Sequence, residues 1–171
     1  NNDLRKQLFF TAGGPNGTMF FRGSYITGDM FGGIATDEMY LIKAEALART
    51  NDVAGGMTAV NTLRAKRMLP GAWVNLSAIN KDDAIKKVAE ERRREMPFVQ
   101  RWYDLRRYNN NEDPNDDVNL SKTFYPYTNS AVLSTQPVQS YTLPKGSRRW
   151  AAPLPRTEII SSDGVIEQNT Y

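Results

Sequence analysis

Apolar residues recur at helical spacing through the middle of the chain, in two stretches joined by a short polar connector. In residues 37–49 the stripe is formed by Tyr40, Ala44 and Leu47 and is widened by Leu41 and Ala48. In residues 53–68 it is formed by Val53, Met57, Val60 and Leu63. Intervals of three and four residues place each set on one face of a helix. Thr36 is a suitable N-cap for the first helix. The pattern predicts a helical hairpin over residues 36–70, about the size of one tetratricopeptide-like unit.

A proline interrupts the next helical pattern. A helix is predicted to begin after Asn80, a good N-cap, and Pro97 must end or kink it because proline lacks an N–H and clashes with the carbonyl four residues back. Beyond the proline, apolar residues again recur at helical spacing, at Phe98, Trp102 and Leu105. They predict a second helix with Pro97 near its first turn. Residues 77–109 are therefore expected to form a kinked helix pair.

The two ends of the chain lack a helical period. Two apolar runs between Gln7 and Arg22 flank a cluster of Gly, Pro and Asn at residues 13–17, which predicts a β-hairpin. Further glycines, at 23, 28, 32 and 33, keep the rest of residues 1–35 irregular. Recurring prolines forbid a regular helix in residues 110–171, so that segment is also expected to be irregular. The predicted fold class is mainly α: a tetratricopeptide-like helical hairpin plus kinked helices, with long irregular loops and a small β-hairpin.

Three blocks of sequence carry a family resemblance. The first is Glu38, Tyr40, Leu41, Ile42, Ala44, Glu45 and Ala46; the second is Glu91, Arg92, Arg94, Glu95, Arg101, Trp102, Asp104, Leu105 and Arg106; the third is Pro153, Pro155, Glu158, Ile159, Gln168, Asn169 and Tyr171. In this order, residues 1–171 resemble the C-terminal portion of the SusD/RagB family of outer-membrane nutrient-binding lipoproteins. One departure is that Val99 and Gln100 stand where an acidic residue and a glycine commonly precede the Arg-Trp pair. A different local turn is expected there.

The resemblance implies a role as well as a fold. It implies non-enzymatic binding of a glycan, an oligosaccharide or another nutrient at the cell surface, for delivery to a SusC-like TonB-dependent transporter. It also implies a surface-exposed lipoprotein of the outer membrane, in which residues 110–171 pack over the helices. Because the chain begins at Asn1 without a signal region and contains no cysteine, we expect a processed or partial chain whose lipid anchor lies upstream of residue 1. A lone helical hairpin needs neighbours, so much of its stability is expected to depend on upstream helical repeats.

Composition limits the chemistry open to the chain. Its 171 residues are 40% hydrophobic and 24% charged, which is typical of a globular protein. Cys and His are both absent, which removes thiolate and imidazole catalysis and the usual zinc sites, and we expect no cofactor and no metal. The polar turn at residues 109–117 lacks the ligand spacing of a calcium loop. The net charge of +3 is small and the basic pairs stand beside acids, so no nucleic-acid partner is expected.

The charged residues around the second block are interpreted as structural. They are Glu38, Glu91, Arg92, Arg101, Asp104 and Arg106, and half-buried charges must be paired to be tolerated. Asp104 lies three residues from both Arg101 and Arg107, a spacing that allows ion pairs on a helix. Neighbouring carboxylates such as Glu90 and Glu91 do not face one another on a helix, so they do not make an acid–base pair. No enzyme site is predicted.

Aromatic residues divide into two groups by their context. Tyr40, Phe98 and Trp102 lie on helical stripes and are expected in the core, whereas Trp73, Phe20, Phe21, Tyr125 and Tyr127 lie in irregular segments. An exposed ring in such a segment can stack on the C–H face of a sugar, although loop aromatics commonly serve as buried anchors. Trp73, Tyr125 and Tyr127 are the best candidates for ligand binding. The alternative hypothesis is a helical-repeat protein-docking module with no sugar site in this segment.

Overall fold

Helices dominate the structure, as the hydrophobic pattern predicts. The computed structural model describes residues 2–13, 17–23, 34–128, 131–133 and 135–170, which fall into two compact units, Asn1–Asp104 and Leu105–Tyr171. The α-helices of the described residues are α1 (Arg5–Phe9), α2 (Thr36–Arg49), α3 (Val53–Arg64), α4 (Lys81–Glu95), α5 (Val99–Tyr108) and α6 (Arg156–Ser161). The strands are β1 (Phe10–Ala12), β2 (Met19–Phe21), β3 (Leu120–Phe124), β4 (Tyr127–Thr128), β5 (Ala131–Val132) and β6 (Gln139–Leu143). The mainly α fold class is confirmed.

Helices α2 and α3 form the predicted hairpin, and small residues let them approach closely. Ala44 and Ala48 of α2 are fully buried. A Cβ atom on Gly56 of α3 would stand only 3.1 Å from the carbonyl oxygen of Ala44. Asp52 caps α3 by accepting a hydrogen bond from the Gly55 N–H at 2.8 Å. The close contact therefore depends on glycine and alanine at the crossing point.

Helix α4 completes the core of the first unit. Its predicted N-cap is confirmed, because the Asn80 side chain accepts from the Asp83 N–H at 2.9 Å. The buried apolar residues of α2, α3 and α4 form one cluster: Ala44, Ala48, Met57, Ala59, Val60, Ala84, Ile85 and Val88. Thr36, by contrast, is the first residue of α2 and does not cap it. Ala35 occupies the cap position, without a side-chain hydrogen bond.

The break at Pro97 places Phe98 differently from the prediction. Helix α4 ends at Glu95 and α5 begins at Val99. Between them Phe98 has a φ of 75°, in the left-handed region that ends a right-handed helix. Phe98 therefore does not continue the stripe of α5, and it is 50% exposed rather than in the core. Its ring packs edge-on against Phe21, with centroids 4.9 Å apart.

The core assignment of Tyr40 is also wrong. Its side chain is 38% exposed, while the neighbouring Leu41 is completely buried. The buried stripe of α2 runs through Leu41, Ala44 and Ala48, about 100° round the helix from Tyr40. Trp102, the third aromatic residue predicted in the core, is half-buried.

The predicted N-terminal β-hairpin is present. Strands β1 and β2 pair antiparallel, with Phe10 opposite Phe21 and Ala12 opposite Met19. The residues just before β1 form a short helix, α1, which the sequence pattern did not indicate. Three residues of the predicted turn, 14–16, and the glycines at 28, 32 and 33 lie outside the described residues.

The second unit contains strand pairs within a segment that was expected to be irregular. Strands β3 and β6 pair antiparallel over five residues each, and β4 pairs with β5. Pro126, Pro137 and Pro144 fall between or beside the strands. They exclude helix but not short strands that they flank. The polar turn after α5 is closed by Asn109, whose side chain donates to the Val118 carbonyl at 2.9 Å and accepts from the Val118 N–H at 2.7 Å.

Candidate functional site

Trp73 lies in a groove of the first unit that encloses about 580 Å³. The groove is lined by Asn2, Arg64, Trp73, Lys87, Glu90 and Arg94, among others. Trp73 is half-buried, and its ring centroid lies 5.7 Å from the central guanidinium carbon of Arg64. One aromatic face and several charged side chains therefore share one concave surface.

The segment that carries Trp73 connects α3 to α4 and is held at several points. Asn61 of α3 donates to the Leu76 carbonyl and accepts from the Leu76 N–H, both at 2.8 Å. The Leu69 N–H donates to the Asn2 carbonyl at 2.9 Å. Lys87 of α4 donates to the Ser77 carbonyl at 2.6 Å. These bonds fix the segment without a helix or a strand, so the ring stands on a defined support.

Arg64 is the most constrained charged residue of the groove. Its residue surface is only 8% exposed, and one terminal nitrogen, Nη1, bonds Glu91 at 3.0 Å. Its Nε atom is buried and has no hydrogen-bond partner among the described residues. The Trp73 ring covers this guanidinium. Arg64 was not singled out from the sequence, where only its position next to Leu63 and four residues after Val60 placed it near the buried face of α3.

Other charged side chains of the groove wall are also held in ion pairs. Arg94 bonds Glu91 at 3.1 Å and approaches Glu90 at 3.5 Å. Lys87 bonds Asp83 at 2.7 Å. Because these carboxylates are engaged in ion pairs, the groove is suited to holding a polar ligand beside a ring rather than to acid–base chemistry.

The predicted network of buried charges is confirmed at Glu38, Glu91, Arg92 and Asp104, and it is larger than predicted. Arg92 bonds Glu38 of α2 and Asp104 of α5, both at 2.7 Å. Arg5 of α1 reaches Glu91 at 2.8 Å and Glu95 at 2.9 Å. Burial alone would lower the pKa of Arg5, but its hydrogen bond to Asp3 and the charges of Glu91 and Glu95 raise that pKa overall. The network is buried and binds the helices together, so it is a structural feature. Arg106, which was assigned to the same set, is exposed.

Tyr125 and Tyr127 belong to the second unit. Tyr125 lies between β3 and β4, and Tyr127 is the first residue of β4. Their side chains are 62% and 73% exposed. Their rings are available to a ligand, and their role remains a prediction. Of the two phenylalanines weighed with them, Phe20 is exposed. Phe21, the last residue of β2, packs its ring edge-on against Phe10 and Phe98, with centroids 5.8 and 4.9 Å apart.

Two general findings complete the description of the site. No group of three or more Asp and Glu residues that could hold a metal ion occurs within the part of the chain that the structure describes. Among the described helices, none is long and apolar enough to cross a membrane.

Comparison with known proteins identifies the chain at the level of a family. The model of the SusD family matches residues 36–171, a range that contains all three of the sequence blocks described above. The resemblance drawn from those blocks is confirmed. No curated protein matches the chain.

Proposed function

Because the chain belongs to the SusD family, we propose that it binds a nutrient oligosaccharide at the outer-membrane surface and delivers it to a SusC-like TonB-dependent transporter. The proposed protein is a surface-exposed lipoprotein and a binding protein rather than an enzyme. The observation that carries the ligand role is the groove at Trp73.

The dimensions and the lining of the groove support this proposal. Its volume of about 580 Å³ lies within the range of roughly 300–1,000 Å³ that is usual for small-ligand pockets. A half-buried tryptophan offers a flat apolar face at a small entropic cost, and the charged groups around it can bond to sugar hydroxyls. Tyr125 and Tyr127 are proposed as further ligand contacts, since both rings are exposed.

Alanine substitution of Trp73, Tyr125 and Tyr127, one at a time, tests this function. We expect Trp73→Ala to weaken oligosaccharide binding about tenfold, which corresponds to about 1.4 kcal/mol. Isothermal titration calorimetry of the full-length protein with a panel of neutral and acidic oligosaccharides gives the affinities. Tyr103→Ala is the matched control, because Tyr103 is an equally exposed ring on α5. Unchanged affinity in all three variants, with unchanged melting temperatures, would place the sugar site elsewhere.

The exposed apolar side of α2 favours a second candidate function, the protein-docking module. Met39, Tyr40 and Ile42 are all exposed on this helix, and apolar side chains in such a position suit a protein partner. The double variant Met39→Ser, Ile42→Ser tests it against the purified transporter. If the variant no longer binds the transporter but keeps its affinity for sugar, the docking function is supported. If the variant binds the transporter as the wild type does, the docking function of this surface is excluded.

A further inference from the structure

One stretch of the second unit carries basic residues and no acidic ones, although the unit as a whole contains seven of each. Residues 118–157 contain five basic residues, Lys122, Lys145, Arg148, Arg149 and Arg156, and no aspartate or glutamate. Lys145 bonds Asp117 at 2.5 Å, just outside this stretch, and Arg148 donates to the Thr170 hydroxyl at 2.7 Å. Lys122, Arg149 and Arg156 form no salt bridge with any residue that the structure describes. These three cations are therefore able to meet a negatively charged ligand.

Strands β3 and β6 display part of this charge beside aromatic rings. Their register pairs Lys122 with Tyr141 and Phe124 with Gln139. Directly opposed residues point to the same face of a sheet, and alternate residues share a face. Lys122, Phe124 and Tyr141 therefore lie on one face, and the hydroxyl residues Ser121, Thr123, Ser140 and Thr142 lie on the other. We call the first of these the aromatic face of the ribbon.

Contacts within the aromatic face hold its groups in place. The rings of Phe124 and Tyr141 meet edge to face, with centroids 5.6 Å apart. The Lys122 ammonium nitrogen lies 5.0 Å from the centroid of the Phe124 ring, and the Tyr141 hydroxyl donates to Gln139 at 2.7 Å. Both rings are nevertheless exposed. A cation and two rings are thus held together on a surface that solvent reaches, which lowers the entropic cost of binding.

We propose that the aromatic face binds an acidic oligosaccharide, one that carries carboxylate or sulfate groups. A sugar ring stacks on Tyr141 or Phe124 through its C–H face, and Lys122 meets an acidic substituent of that sugar or its neighbour. The inference rests on the function proposed above and specifies the class of its ligand.

A sugar fits this surface better than an anionic membrane does. Insertion into a bilayer interface requires a large apolar face, whereas the aromatic face carries Lys122, Gln139 and the Tyr141 hydroxyl beside its rings. Hydroxyl and amide groups bond the hydroxyls of a glycan. Anionic vesicles are therefore the competing probe in the experiment.

The experiment compares an acidic glycan with its neutral methyl ester and with a second acidic glycan. Binding of the full-length protein to oligogalacturonate, to its methyl ester and to chondroitin sulfate oligosaccharide is measured by calorimetry at low and high salt. We expect the two acidic ligands to bind more tightly than the ester and to weaken as salt increases. Lys122→Gln should weaken the binding of the acidic ligands about two- to fivefold, the effect expected from losing an exposed ion pair. Lys122→Arg keeps the charge and should bind like the wild type. Tyr141→Ala should weaken binding more than Lys122→Gln does.

Each remaining outcome has a defined meaning. Lys66→Gln, at an exposed lysine of the first unit, is the control and should bind like the wild type. Equal binding of acidic and neutral glycans, or an unaffected Lys122→Gln variant, overturns the inference and leaves the proposed function intact. Absence of binding to every glycan in both experiments overturns the proposed function together with the inference. Binding to vesicles that contain phosphatidylglycerol, weakened by Lys122→Gln while no glycan binds, assigns the aromatic face to the membrane surface instead.

Discussion

Arg92 is a buried cation held between carboxylates from two other helices. Its Nη2 atom bonds Glu38 and its Nε atom bonds Asp104, each at 2.7 Å. Burial alone would lower the pKa of Arg92, but hydrogen bonds and charge from Glu38 and Asp104 raise it overall. The guanidinium therefore stays charged and needs both partners. Removing one carboxylate leaves the buried guanidinium incompletely paired.

Asp104→Ala should consequently harm folding rather than binding. Loss of one member of a buried ion pair costs about 3–5 kcal/mol. Glu90→Ala is the matched control, because the side chains of Glu90 and Arg94 are 49% and 47% exposed, and exposed pairs contribute only about 0–1 kcal/mol. Urea unfolding of both variants measures the difference. Equal losses would contradict the structural role, and an unchanged unfolding curve with lost ligand affinity would make Asp104 a binding residue.

At the level of elements, helices α2 and α4 begin in different ways. The side chain of Asn80 accepts from the Asp83 N–H at 2.9 Å, and the Asp83 side chain accepts from the Ile79 N–H at 3.0 Å. Two free N–H groups at the start of α4 are thereby satisfied. Helix α2 begins after Ala35, which makes no side-chain cap, and the Asp37 side chain accepts from the Glu38 N–H at 2.9 Å. The two starts should differ in their sensitivity to mutation.

Asn80→Ala should destabilise the protein by about 1 kcal/mol, the usual effect of losing an N-cap. Thr36→Ala should change stability by less than about 0.5 kcal/mol, because Thr36 is already helical and its side chain does not cap α2. Thermal or urea unfolding of the two variants checks the prediction. A larger effect at Thr36 than at Asn80 would show that the sequence-based assignment of Thr36 as a cap was right.

The elements also show where sequence reasoning succeeds and where it fails. Helical stripes predicted α2 to α5 because their apolar residues repeat at visible intervals. The stripe of α2 was predicted too wide, because Tyr40 and Leu41 are both apolar and only Leu41 is buried. Strands β3 and β6 were missed because both of their faces are largely exposed, which removes the alternation that marks a half-buried strand. Trp73 was found as a loop aromatic. Its groove could not be found, since residues 2 and 3 meet residues 64–94 only in the folded chain.

At the scale of the whole chain, the first unit is closed by residues that lie far apart in the sequence. The backbone N–H of Leu4 donates to the Arg67 carbonyl at 2.9 Å, and Asp3 forms an isolated β-bridge with Met68. Arg5 bonds Glu91 and Glu95 of α4 at 2.8 and 2.9 Å. Bringing such distant segments together costs chain entropy, which the buried ion pairs must offset. The N-terminal segment therefore depends on Arg5 for its attachment.

Arg5→Ala should release that segment and destabilise the first unit. Glu91 and Glu95 are buried, and the loss of their shared cation should cost about 3–5 kcal/mol. Hydrogen–deuterium exchange should then accelerate in residues 2–12 and in residues 67–69, to which the segment is bonded, before it accelerates in the core of α2 and α4. Lys6→Ala, at the exposed neighbouring position, should leave both stability and exchange unchanged. Equally slow exchange of residues 2–12 in the two variants would contradict this prediction. The backbone bonds to Arg67 and Met68 would then be enough to hold the N-terminal segment in place without Arg5.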